Sequence, residues 1–271
     1  KNGELIYPHN AAWPVDGHML RCFDHWLKGI DNGVTKEPKT RWYMMGAVGE
    51  PGTPGNVWRE ATDFPPPAEM HPLYLHEDGK LNASQPKKAA ASTSYISNPR
   101  QPMKIQSVGF PGAADARPFE QQAEVRTFTT EPLAEPVECV GRIQAELFFS
   151  STAKDTDIIV RVSDVYPDGR SILIVDYPLR LRYRDGFDKE VLMEPGKIYP
   201  VKYPVGWIGQ VFAKGHRIRV TIASTGAPFY EPNPQTGKPL TIEFPPDAVA
   251  AMNTIHHSAK HASRILVPLA R

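Results

Sequence analysis

Two cysteines in 271 residues, Cys22 and Cys139, make neither a Cys-x-x-Cys pair nor a disulfide framework. They read as two separate buried thiols, and they leave the compartment open between cytoplasm and periplasm or exterior. Charge of one sign is not in excess either. Lysine and arginine number 31 against 30 aspartates and glutamates, so no nucleic-acid partner and no membrane-surface partner is expected. No apolar run approaches the roughly 18–20 residues of a membrane span. The Gly-x-Ser-x-Gly turn that exposes a nucleophilic serine is missing, as are His-Glu-x-x-His and any glycine-rich phosphate loop. No metal and no cofactor is therefore expected. Lys1-Asn2-Gly3-Glu4 offers no initiator methionine and no signal-peptide core, and the chain reads as a piece of something longer.

What is abundant is proline, 28 residues, with 20 glycines, a composition that suits short strands joined by punctuated loops. Residues 216–223 set the pattern. His216, Ile218, Val220 and Ile222 fall on one side and Arg217, Arg219, Thr221 and Ala223 on the other, which is the strand period. Residues 140–150, 158–166 and 179–184 repeat the pattern, and residues 171–176, 198–203 and 263–269 read as further strands, with Pro167-Asp168-Gly169-Arg170 as a turn. About eight to ten strands with long intervening loops predict a jelly-roll β-sandwich rather than an immunoglobulin domain, whose Cys-Trp-Cys framework is absent. Residues 246–257 are expected to hold a helical turn, and residues 98–122 form a long irregular excursion.

The first part is different. Asp16 to Ile30 predicts a helix, with Asp16 as N-cap, Gly29 as terminator and a stripe of Met19, Leu20, Phe23, Trp26 and Leu27. Residues 40–47 predict one strand, and Phe64-Pro65-Pro66-Pro67 breaks regular structure, which places a boundary near residue 68. One helix and one strand make no core, so the stripe, Trp26 and Phe23 above all, needs a surface to cover it.

Candidate chemistry is sparse. Ser150, Ser151, Ser224 and Ser258 are nucleophiles by residue type alone and read as strand or turn hydroxyls. His256, His257 and His261 lack a third ligand at a telling distance, and His216 reads as a hydrogen-bonded core histidine. Asp155 and Asp157 read as caps at the start of a strand, and Arg180, Arg182 and Arg184 as a solvated or interdomain salt-bridge face. No catalytic residue is assigned.

Several motifs in order carry a resemblance. They are Arg21-Cys22-Phe23-Asp24-His25-Trp26-Leu27-Lys28-Gly29, Met44-Met45-Gly46, Asp63-Phe64-Pro65, Asp155-Thr156-Asp157, Asp164-Val165-Tyr166-Pro167-Asp168-Gly169, Leu181-Arg182-Tyr183-Arg184, Gly215-His216-Arg217 and Leu266-Val267-Pro268-Leu269. The chain resembles the C-terminal portion of the CocE/NonD serine hydrolases, which include X-Pro dipeptidyl-peptidases and α-amino acid ester hydrolases. The resemblance implies that residues 1–67 are the end of an α/β-hydrolase domain, its last helix and strand. Residues 68–271 are then a galactose-binding-like jelly roll. It also implies an ester or amide (acyl or X-Pro peptide) substrate in the complete enzyme and a Ser-Asp-His triad upstream, none of it matched here. The partner of this chain is then the missing upstream domain, or a second copy. The excursion 103–119 falls where relatives wall the substrate cleft, with Phe110 and Phe119 as candidate wall residues. A free-standing β-sandwich binding carbohydrate or a protein ligand is the alternative.

Overall fold

The computed structural model describes residues 1–106, 112–239, 244 and 246–270. Helix α1 (Val15–Lys28) is followed by the hairpin β1 (Thr40–Met44) and β2 (Val57–Ala61). Then come β3 (Ala68–Leu75), β4 (Leu81–Asn82), β5 (Ser92–Ser97), the single turn α2 (Arg117–Glu120) and β6 (Arg126–Thr129). The remaining strands are β7 (Val137–Ser151), β8 (Asp157–Val165), β9 (Ser171–Arg180), β10 (Tyr199–Phe212), β11 (Arg217–Ala223), β12 (Ala251–His256) and β13 (Arg264–Ala270).

From β3 onward these strands form two antiparallel sheets. The larger runs β4-β3-β13-β7-β12-β5, with β10 on the other edge of β7, and the smaller runs β6-β11-β8-β9. The protein is mainly β, a jelly-roll sandwich. Its core meets where the period-two faces meet. Ile143, Ala145, Leu147 and Phe149 of β7 lie against Ile158, Val160 and Val162 of β8 and Ile218, Val220 and Ile222 of β11, all buried.

Four expectations change in detail. Residues 246–257 hold no helical turn among those described, because β12 runs from Ala251 to His256 between β5 and β7. Alanine and methionine favour a helix locally, but two ready strand edges offer a full ladder of hydrogen bonds. Residues 171–184 are one strand rather than two, β9 to Arg180 followed by a 3-10 turn at Leu181–Tyr183. Residues 198–203 continue through a bulge between Pro204 and Gly206 into the 14-residue β10. Helix α1 begins at Val15, with Pro14 at the cap position and Asp16 inside the first turn, where its charge still suits the helix dipole.

The outer face of the small sheet is not wet. Every residue of β8 is buried, on both faces, because the described part of the excursion, Phe119 above all, lies over it. Glu120 of α2 accepts from Ser171 Oγ (2.7 Å) and Arg219 Nη1 (2.6 Å), and Gln122 brackets Lys104 at its backbone N–H and carbonyl (2.8 and 2.7 Å). The hairpin β1–β2 packs outside the large sheet, where Met44 joins Val140 and Val211 in a small separate cluster.

Candidate functional site

Three side-chain groupings gather the residues with chemical potential. The first is at His216, just ahead of β11. Its ring is fully buried, with Nδ1 2.8 Å from Asp164 Oδ1 and Nε2 2.9 Å from Glu50 Oε2. Asp164 belongs to β8, whereas Glu50 comes from the β1–β2 loop. Tyr166 packs on the imidazole at 4.4 Å between ring centres, and its hydroxyl accepts from the Val48 N–H (2.9 Å). Burial opposes a charged imidazole, but the hydrogen bonds and charges of Asp164 and Glu50 override it, and the His216 pKa is raised. Burial likewise pushes the Asp164 carboxyl up, against the pull of His216. The core histidine expected here is thus a core histidine with two carboxylates.

At the far end of the small sheet lies the second grouping. Arg182 Nε donates to Asp155 Oδ2 (2.8 Å), the backbone N–H of Arg182 donates to Asp155 Oδ1 (3.0 Å), and Arg180 makes two bonds to Asp157 (3.0 and 3.1 Å). Asn233 Nδ2 donates to both aspartates at 2.8 Å. Arg182 is 1% exposed and Asp155 0%. The arginine row read as a solvated face is therefore internal at Arg182, and Asp155 and Asp157 are the counter-ions of Arg182 and Arg180 rather than simple strand caps. Sequence could not pair them, because 27 residues and the whole of β8 and β9 separate Arg182 from Asp155.

The third grouping is the serine most like a nucleophile. Ser150 Oγ lies 2.9 Å from His256 Nε2. Among the described residues no carboxylate stands within ion-pair distance of His256, and burial together with neighbouring His261 lowers its pKa. The described residues thus hold a Ser–His contact without an acid and an acid–His–acid contact without a nucleophile. Neither completes the relay that acyl transfer requires.

Helix α1 has no buried residue. Its polar side anchors it, through Arg21 to Glu37 (2.6 Å) and to the Asn32 carbonyl (3.2 Å). The apolar side faces solvent, with Met19, Leu20 and Phe23 about half exposed, Trp26 at 72% and Leu27 at 77%. Phe119 is 2% exposed, packed with Ile105, Val125 and Ala223, and the Arg161 guanidinium sits 4.6 Å from its ring centre. Phe110 lies outside the described residues.

Residues 32–266 match the family described as the X-Pro dipeptidyl-peptidase C-terminal non-catalytic domain. The chain belongs to this family. As an X-Pro dipeptidyl-peptidase C-terminal domain it has full-length matches to halves of larger proteins. Cocaine esterase of Rhodococcus sp. (strain MB1 Bresler) is 33% identical over 99% of this chain and 49% of that protein. A putative serine esterase of Mycobacterium bovis is 28% identical over 96% of this chain and 44% of that one. An aminopeptidase structure from a marine sediment Thaumarchaeota archaeon superposes with a TM-score of 0.85 at 28% identity, over 100% of this chain and 47% of that chain. The chain spans about half the length of the curated relatives it matches. Its resemblance to the C-terminal part of CocE/NonD hydrolases stands on these matches. The family match begins at Asn32 and so includes the hairpin β1–β2 as well as the sandwich.

One arrangement escaped the sequence. Trp42 on β1, Phe64 and Trp207 on β10 wall a cavity of about 220 Å³. Phe64 and Trp207 stack with ring centres 4.8 Å apart. The bulge between Pro204 and Gly206 breaks the alternation of β10 and turns Trp207 outward, and nothing local in the sequence told that the hairpin would fold back beside it.

Proposed function

We propose that this chain is the C-terminal portion of a serine hydrolase that cleaves ester or amide bonds, and that it is inactive alone. Its sandwich packs against a catalytic domain supplied upstream and helps wall the substrate cleft. The observation that carries this reading is α1, a helix held at its polar side and bare along its apolar side, in a chain of a non-catalytic family. The upstream α/β-hydrolase domain is the surface that covers it. The anchored ends of the excursion fit the wall role. Phe119 serves there as the buried foundation of the wall, with Glu120 and Gln122 fixing the segment to the sheet.

Parallel labelling with a fluorophosphonate tests the assignment. The 271-residue chain is expected to remain unlabelled and to leave p-nitrophenyl esters and X-Pro amides uncut. A longer form carrying the upstream domain should take one label and hydrolyse a small acyl ester. Stoichiometric labelling of the short chain, at Ser150 for example, refutes the division of labour. An unlabelled but folded long form removes the hydrolase assignment.

The cavity at Trp42, Phe64 and Trp207 favours a second reading, a binding module for a carbohydrate or a protein ligand. No charged side chain lines it, and its walls are mainly apolar, which gives a sugar few hydrogen-bond partners. Specific, saturable binding on a glycan array, lost in Trp207→Ala, would put this reading first. A blank array leaves it without support.

A further inference from the structure

The contacts at His216 impose a proton count. Two ring nitrogens each face a carboxylate oxygen at hydrogen-bond distance, 2.8 Å to Asp164 and 2.9 Å to Glu50. An ionised carboxylate only accepts, so each contact needs its own proton. Two protons must therefore sit in the trio, which with both carboxylates ionised is an imidazolium between two carboxylates. Removing one leaves a nitrogen lone pair against a carboxylate oxygen at the same distance, a repulsion in a buried place.

The two carboxylates come from different elements. Asp164 is 1% exposed and lies in β8, where Gln210 Nε2 of β10 also reaches it (3.3 Å). Glu50 is 29% exposed and rides on the loop between β1 and β2. That loop carries buried Ala47, and it touches the N-terminal segment through the cluster of Leu5, Tyr7 and Tyr166. When one proton leaves, the fixed aspartate stays and the glutamate can swing to water.

We propose that Glu50, His216 and Asp164 form a proton-dependent latch that fastens the β1–β2 loop, and the N-terminal segment with it, to the sandwich. The latch rests on this chain alone and holds whether or not the hydrolase reading does. The groups that face His216 are Asp164 from β8, Glu50 from the loop and Tyr166 beyond β8. Arg170 lies over the Tyr166 ring, 4.4 Å from its centre, and Tyr7 of the N-terminal segment interacts with Asp164 and Tyr166. Burial raises both phenols, Tyr7 to about 12, so neither ionises in the range where an imidazole does. The sign follows from the raised pKa of His216. Fastening is complete below the free-histidine value of about 6.5 and is lost as pH rises through the higher folded-state value.

Amide hydrogen exchange on the 271-residue chain, corrected for intrinsic rates, reads this directly. Protection of residues 46–56 should fall about tenfold or more between about pH 6 and about pH 9, while that of β7 and β10 holds. Glu50→Ala, at the partly exposed end, should fold and show low loop protection at both values. Nitrogen-15 shifts of the His216 ring should report two protonated nitrogens at about pH 6. Loop protection that is flat with pH, a Glu50→Ala loop as protected as the parent's, or a singly protonated ring at the lower pH would each overturn the latch.

Discussion

Asp155→Ala is expected to destabilise the chain by about 3–5 kcal/mol, because it strands a buried cation. Arg182 is 1% exposed, and its Nε, together with its backbone N–H, depends on that one carboxylate. Its remaining partners, Glu190 (3.1 Å) and the Lys238 carbonyl (2.9 Å), lie at the other end of the guanidinium. At this size about 2–4 °C of melting temperature goes with each kcal/mol, so the midpoint should drop by about 10 °C. The double change Asp155→Ala with Arg182→Met should recover much of the loss, since the penalty lies in a buried cation left with only the half-exposed Glu190 as counter-ion and not in the absence of the Asp155 pair. Removing the exposed pair between Lys197 and Glu194 (2.6 Å) should change nothing measurable. A thermal melt in which Asp155→Ala matches the parent would show that the site is open to water.

The second large effect concerns α1. Trp26→Ala in the 271-residue chain should cost less than about 0.5 kcal/mol, since the side chain is 72% exposed. In a form that includes the upstream domain the same change should cost about 3–5 kcal/mol, the usual cost of truncating a buried tryptophan. Between these states the bare face should find a substitute. Light scattering should show concentration-dependent association of the short chain, abolished when Leu20, Trp26 and Leu27 are all made glutamine. Equal costs in the two forms would mean that the upstream domain docks elsewhere.

These sites differ in how far the sequence foretold them. The strands β7 and β11 alternate in sequence, and the stripe on α1 keeps its helical spacing, because a face set apart from its opposite imposes a period that survives in the letters. The bareness of that stripe was legible too, since residues 1–67 contained nothing large enough to cover it. What failed to show was partnership across the sheet. Arg180 and Arg182 carry the same pattern as a wet edge, and only the return of β9 alongside β8 sets them beside Asp157 and Asp155. Likewise His216 betrayed its burial by falling in line with Ile218. Glu50, 166 residues away on a glycine- and proline-rich loop, had no period to mark it. Strand β12 was obscured for a different reason, because alanine and methionine speak for a helix until two neighbouring edges decide otherwise.

The order in which the strands leave the ribosome differs from the order in which they lie. β3 is made among the first and β7 midway, yet neither touches the other along the main path of the large sheet until β13 slides between them. Ile265 is paired with Leu73 on one side and with Ala145 on the other. The sheet therefore cannot close before residue 265 has been synthesised, and until then a nascent chain must carry open edges on β3 and, once it is made, on β7. Such edges invite strand pairing between neighbouring copies. A stalled or C-terminally clipped chain should thus be lost to aggregation as a whole, not retained as a shortened sandwich.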